Sequence, residues 1–294
     1  MEKIEKIQKI SRLLLDEFAR VCNQNNLRWF IDSGTLLGAI RHGGFIPWDD
    51  DVDVVMPRED YNILYEHGKE MFSDPFFLEN GRDGGSDILA MQLKYSNSTS
   101  INERSLSYFY RKDMTFSINK GIAMDIEPID HVPCDERKET LALFVDFLYS
   151  GCYMNFKALH DCHQSMVGHV QHDNGAKLYN SVMTDVDREN KNSGRIACTP
   201  WWPLSGRLTG YTVSEECYKD YFEADFTGCA EKVRIPVGFG EILLAYYGED
   251  YMQERKEKDV DHIYQNILID SERSFHYYEQ FSNEEIERMI KEGN

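Results

Sequence analysis

The chain has 294 residues, 41% of them hydrophobic, which is enough to bury a core without disulfide or metal staples. Its 32 basic residues face 51 acidic ones, a net charge of −19, and this excludes a generic electrostatic grip on nucleic acid or on an anionic membrane surface. A phosphate-bearing ligand must then be held locally, by divalent cations and a few placed Arg or Lys side chains, because bare carboxylates repel phosphate.

Residues 3–25 are predicted to form an amphipathic helix, since Ile4, Ile7, Leu14, Phe18 and Val21 fall near one stripe at helical spacing. Nothing in this N-terminal stretch has the continuous apolar core of a signal peptide, and no later segment offers about 18 uncharged apolar residues. Seven widely spaced cysteines, an odd number, read as reduced thiols. A cytoplasmic protein, at most peripherally associated with the inner face of the cell membrane, is expected.

Asn25-Asn26 stops the first helix, and Leu27 to Ile31 reads as a buried strand running into a tight turn at Asp32-Ser33-Gly34. A short helix should open at Thr35. Gly43 to Pro47 cannot continue it, and Asp51 to Val55 follows with strand alternation that puts Asp51 and Asp53 on one face. Pro57 ends that strand, and Arg58 to Phe72 reads as a helix. Residues 73–120 are polar and broken by glycine, with a strand expected over Ala90 to Tyr95. Ile122, Met124 and Ile126 alternate with Ala123, Asp125 and Glu127, the pattern of a half-buried strand that Pro128 should close, with Asp125 on the non-core face. A helix is predicted from Asp135 to about Phe156, and another helical pattern lies near Gly240 to Met252, before the charged stretch Gln253 to Asp261. With no repeat and no low-complexity linker, the economical reading is one α/β core over 1–135 with a largely helical region, 136–294, packed on it.

Two devices are adjacent between Gly34 and Asp53. A Gly turn opening a helix at Thr35 would present free backbone N–H groups and a hydroxyl to a phosphate, with Gly34 allowing close approach. Asp51 and Asp53 supply hard oxygen donors about 7 Å apart along a strand, able to converge on Mg²⁺ or Mn²⁺, and Asp125 would complete a two-metal cradle. A solvated acidic turn would not place these charges among Trp48, Val52, Val54 and Val55, and a calcium loop fails because Val54 stands where a glycine is needed. Arg41 offers a bidentate fork to a phosphate, and Lys94 reads either as a second phosphate contact or as an ordinary exposed lysine. His42 reads equally well as a ligand-side group and as a structural loop histidine. A zinc site in the Cys/His-rich stretch from Cys152 to His172 is disfavoured, since it has no Cys-x-x-Cys pair.

The run Gly34-Thr-Leu-Leu-Gly-Ala-Ile-Arg-His-Gly-Gly-Phe-Ile-Pro-Trp-Asp-Asp-Asp-Val-Asp53 resembles the signature of the LicD family of bacterial phosphocholine transferases, distantly similar to fukutin and fukutin-related protein. Met56 to Tyr61, Gly121 to Asp130 and Pro236 to Met252 resemble further elements of that family. The chain departs from it at Gln253 to Lys256, where members commonly show Pro-Pro, and at Glu127, which replaces a frequent Phe. The resemblance implies a nucleotidyltransferase-like α+β fold with a mixed sheet, in which Asp51, Asp53 and Asp125 are catalytic and bind Mg²⁺ or Mn²⁺. It implies CDP-choline or another CDP-alcohol as donor, a glycan or lipid-linked saccharide as acceptor, and no nucleic-acid partner. A choline headgroup would want aromatic faces, for which Trp201-Trp202 and Tyr108 to Tyr110 are candidates. Nucleotidyl transfer from an NTP, sugar-nucleotide glycosyl transfer, and a non-enzymatic binding module are the competing expectations.

Overall fold

The structure is a computed structural model, and it describes residues 3–80, 90–102, 119–132, 175–198, 212–254 and 266–292. The helix predicted from Asp135, the paired tryptophans, the tyrosines around residue 109 and the Cys/His-rich stretch lie outside the described residues, as does the charged stretch beyond Glu254.

Helix α1 (Lys3–Gln24) buries Ile7, Ile10, Leu14, Leu15, Phe18 and Val21, the stripe that its spacing predicts. It ends where Asn26 takes φ 55°, a left-handed conformation that asparagine tolerates, and where the Leu27 N–H donates to the Cys22 carbonyl at 2.9 Å. Because Leu27 closes the helix, strand β1 is only Phe30–Ile31, shorter than expected. Helix α2 (Ser33–His42) opens two residues before Thr35 and stops at Gly43, left-handed at φ 69°. Strand β2 (Asp53–Pro57) runs into α3 (Arg58–Met71), followed by β3 (Phe76–Glu79), β4 (Met91–Tyr95), β5 (Thr99–Asn102) and β6 (Ile122–His131). Then come α4 (Gly175–Asn190), β7 (Arg195–Cys198), β8 (Thr212–Ser214), β9 (Tyr221–Ala224), β10 (Val233–Pro236), α5 (Phe239–Tyr247), β11 (Ile267–Asp270) and α6 (Asn283–Lys291).

The fold is mixed α/β. Seven strands form the main sheet, in the order β1-β2-β6-β4-β3, with β7 also paired to β6 and β8 to β7. Among the described strands only β2 and β6 are parallel, with Asp53 opposite Asp125. Pro128 does not close β6. The strand runs three residues past it, because β4 pairs only as far as Ile126 and β7 takes over at Ile129, so the missing N–H falls in a gap between two partners.

The described residues of the C-terminal region carry five short strands beside three helices. Strands of three or four residues are too short to display period-two alternation, and they escape a pattern search. Two of them extend the main sheet, and Phe226, Val233, Ile235, Ile242 and Leu243 join the same buried cluster as α1 and β2. Arg58 ties α3 to β6 through a buried two-pronged contact with Asp130, at 2.5 and 2.6 Å. Among the described residues no helix is long and apolar enough to cross a membrane.

Candidate active site

Parallel pairing of β2 with β6 sets Asp53 and Asp125 side by side on one sheet face. Asp51 lies in the extended lead-in to β2, two residues before the strand begins, so its place depends on the loop rather than on strand alternation. Carboxylate oxygens of Asp51, Asp53 and Asp125 nevertheless lie within 4.8 Å of one another, and those of Asp49, Asp50 and Asp51 form a second such group. Backbone bonds lock this arrangement: Asp32 N–H to the Asp53 carbonyl at 3.1 Å, and Asp125 N–H to the Val52 carbonyl at 2.8 Å.

The first turn of α2 braces the acids. Thr35 is fully buried, and its hydroxyl oxygen accepts the Asp53 N–H at 2.9 Å. A Cβ on Gly34 would meet the Asp49 carboxylate oxygens at 2.9 and 3.1 Å, so the group that Gly34 admits in this structure is a carboxylate. Gln8 on α1 holds the loop from outside, donating to the carbonyls of Ile46 at 3.2 Å and Asp49 at 3.0 Å.

Burial and mutual repulsion act on these groups together. The Asp49 carboxyl is pushed up to about 8, first by burial and then by Asp51 and Asp50. Asp51 rises to about 6, by burial and by the charges of Asp50 and Asp125. Asp53 is raised well above the ordinary range by burial, then by Asp51 and Glu127. Burial raises Asp125 too, opposed by a hydrogen bond from Gln92 and by the charge of Lys94. The Oδ2 atom of Asp49 is buried and has no hydrogen-bond partner. Hard oxygen donors that converge, repel one another and leave one buried oxygen unsatisfied fit a divalent cation.

Several supporting residues carry no signal in the local sequence. Gln92 stands opposite Asp125 across the β4–β6 pairing and donates to its Oδ1 at 2.7 Å. Its alternation with Met91 and Leu93 marks its face, but not its partner. Asp32, fully buried, accepts from Tyr218 at 3.2 Å and from Tyr246 at 2.9 Å, and burial still pushes it up to about 6. Tyr247 feels the charges of Asp32, Asp53, Asp49 and Asp51, which with burial raise its hydroxyl. Thus α5 and the 3-10 turn Glu215–Tyr218 reach back to the acids, a contact invisible in either segment alone.

Lys94 shares the face of Gln92, contacts Glu79 and donates to the Asn119 carbonyl at 3.1 Å. Among the described residues Arg41 and His42 make no hydrogen bond or ion pair with the acid group. Seven residues of helix carry His42 about 10 Å along the axis from Thr35. There Arg41 donates to the Tyr251 carbonyl at 2.9 Å and to His42 Nε2 at 2.9 Å, and His42 Nδ1 lies 3.8 Å from Glu254. Basic groups at a helix C-terminus complement its dipole.

Residues 26–127 match the profile "LicD/FKTN/FKRP, nucleotidyltransferase domain", and this stretch contains Asp51, Asp53 and Asp125. Over that stretch the chain is similar to the LicD family. Lipopolysaccharide cholinephosphotransferase LicD of Haemophilus influenzae is 41% identical over 81 residues, covering 26% of this chain and 28% of that protein. Human ribitol 5-phosphate transferase FKRP is 33% identical over 81 residues, 26% of this chain and 16% of its own length. An uncharacterised Rickettsia prowazekii protein, RP689, is 47% identical over 47 residues, 16% of this chain and 18% of its own. The chain thus spans less than a third of each of these relatives. The LicD-family stretch ends at β6, so the tyrosines that hold Asp32 come from outside it.

Proposed function

We propose that this chain, similar to the LicD family over residues 26–127, transfers phosphocholine, or a related alcohol phosphate, from a CDP-activated donor to a hydroxyl of a cell-surface glycan precursor, releasing CMP. The observation that carries the reading is the convergence of carboxylate oxygens of Asp51, Asp53 and Asp125 within 4.8 Å of one another. The names of two relatives support it, since one moves a choline phosphate onto lipopolysaccharide and the other moves ribitol 5-phosphate.

In the proposed reaction the acceptor oxygen bonds to the phosphorus that bears the alcohol. The bond from that phosphorus to the bridging oxygen breaks, and CMP leaves with the electron pair. Asp51, Asp53 and Asp125 would hold Mg²⁺ or Mn²⁺, which when bound supplies positive charge against the oxygens of the diphosphate. Asp125, oriented by Gln92, is the group assigned to accept the acceptor's proton. Thr35 keeps Asp53 in register from behind. The reading has the protein work in the cytoplasm, at the inner face of the cell membrane, where a lipid-linked acceptor would be met.

The test is product analysis. With Mg²⁺, CDP-choline and a lipopolysaccharide acceptor, ³¹P NMR should show CMP and a new phosphodiester, and an excess of chelator should stop both. Pyrophosphate released from an NTP would instead identify nucleotidyl transfer. Turnover that persists in chelator would sink the metal assignment.

A further inference from the structure

A cavity of about 600 Å³ lies between the first turns of α1 and the segment running from β11 through the 3-10 turn Phe275–Gln280 to α6, and shares no lining residue with the acid cluster. Its carboxylates are already engaged by the protein. Asp270 accepts from the Tyr278 hydroxyl at 2.7 Å and from the N–H groups of Glu272 at 2.9 Å and Arg273 at 3.1 Å. Glu272 pairs with Lys9 at 2.7 Å. The two cations that line the cavity, Lys6 and Arg273, pair with no carboxylate among the described residues, and the Arg273 guanidinium lies 4.7 Å above the Tyr277 ring. In a chain of net charge −19, such an arrangement is set to receive an anion.

The aromatic wall narrows the class of anion. Tyr277 is 43% exposed, and the planes of Tyr277, Tyr278 and Phe281 meet at 88°, 59° and 44°. No two of these rings are close to parallel, so they form no slot for a flat base, whereas single ring faces suit the C–H face of a pyranose. We propose that this cavity binds an anionic saccharide, with the sugar ring on Tyr277 and its phosphate or carboxylate between Lys6 and Arg273. Helix α1 joins the cavity to the acid cluster: Gln8 holds the Asp49 loop, while Lys3 donates to the Ile267 carbonyl at 2.9 Å and Lys9 holds Glu272. A role as the remote end of a glycan acceptor rests on the alcohol-phosphate transfer proposed above. The binding itself does not.

Glucose 6-phosphate is the probe, titrated against the full chain in chelator and followed by saturation-transfer NMR, with glucose, inorganic phosphate and CMP as comparators. Glucose and inorganic phosphate should each bind about tenfold more weakly than glucose 6-phosphate, and Lys6→Gln and Arg273→Gln should each weaken the probe by about tenfold. Tyr277→Phe should keep the binding and Tyr277→Ala should lose it. Asp53→Asn should leave it unchanged, so the result is independent of whether the transfer chemistry is right. Absence of binding, equal binding of inorganic phosphate, a preference for CMP, or full binding by both Arg273→Gln and Tyr277→Ala would overturn the proposal.

Discussion

At the scale of single residues, the acid cluster opposes the stability of the metal-free protein. Asp53 is raised by burial and by its acidic neighbours, while its N–H bond to Thr35 and the neighbouring strand pairing belong to the backbone. Asp53→Asn should therefore leave the metal-free melting temperature unchanged or higher, yet cut transfer by about a hundredfold or more. A melt and a turnover assay on one sample check both halves. Gly34 makes a related case with a different cause. Alanine in the first turn of α2 favours the helix by up to about 1 kcal/mol, but its Cβ must displace the Asp49 carboxylate. Gly34→Ala is expected to lower turnover with little change in the urea midpoint. A large loss of stability with full activity per folded molecule would show that Asp49 moves freely.

Between elements, the decisive contact is the one from α5 and the 3-10 turn to the start of α2. Tyr246 and Tyr218 donate to separate oxygens of buried Asp32, and both bonds favour its ionised form. Tyr246→Phe removes one donor without removing the ring, at a cost of about 1–3 kcal/mol. Because the lost bond favours the carboxylate, the loss should be larger above about pH 6, where Asp32 ionises, than below it. Urea denaturation at two pH values measures this, and a pH-independent difference would argue against an ionised Asp32. Packing at the other end of α2 is tighter still, since a Cβ on Gly38 would lie 2.5 Å from the Gly44 carbonyl oxygen.

For the whole molecule, the raised carboxyls link stability to pH and to metal. Asp49 near 8 and Asp51 near 6 lie above the ordinary 3.8, so through the range from about 4 to 8 the folded chain keeps protons that the unfolded chain has released. Their contribution to the stability of the metal-free protein falls as pH rises through that window and levels off above it. A divalent cation competes with those protons, so the rise in melting temperature on adding Mg²⁺ should be larger at about pH 8 than at about pH 6. An equal rise at both values would place the cation elsewhere.

The sequence by itself determined which residue types the candidate site offers and the local elements that carry them. The Gly34 to Asp53 run, the stripe of α1 and the alternation around Asp125 are properties of neighbouring residues, which periodicity and residue type express directly. Tertiary structure decided the rest. The register that sets Asp53 beside Asp125 belongs to two strands far apart in the chain, and strand pairing leaves no mark in either one. The same holds for Gln92 on Asp125 and for the tyrosines on Asp32. Arg41 and His42 lie within the motif in sequence but at the far end of α2 from Thr35 in space, because a helix converts seven residues of separation into about 10 Å of distance.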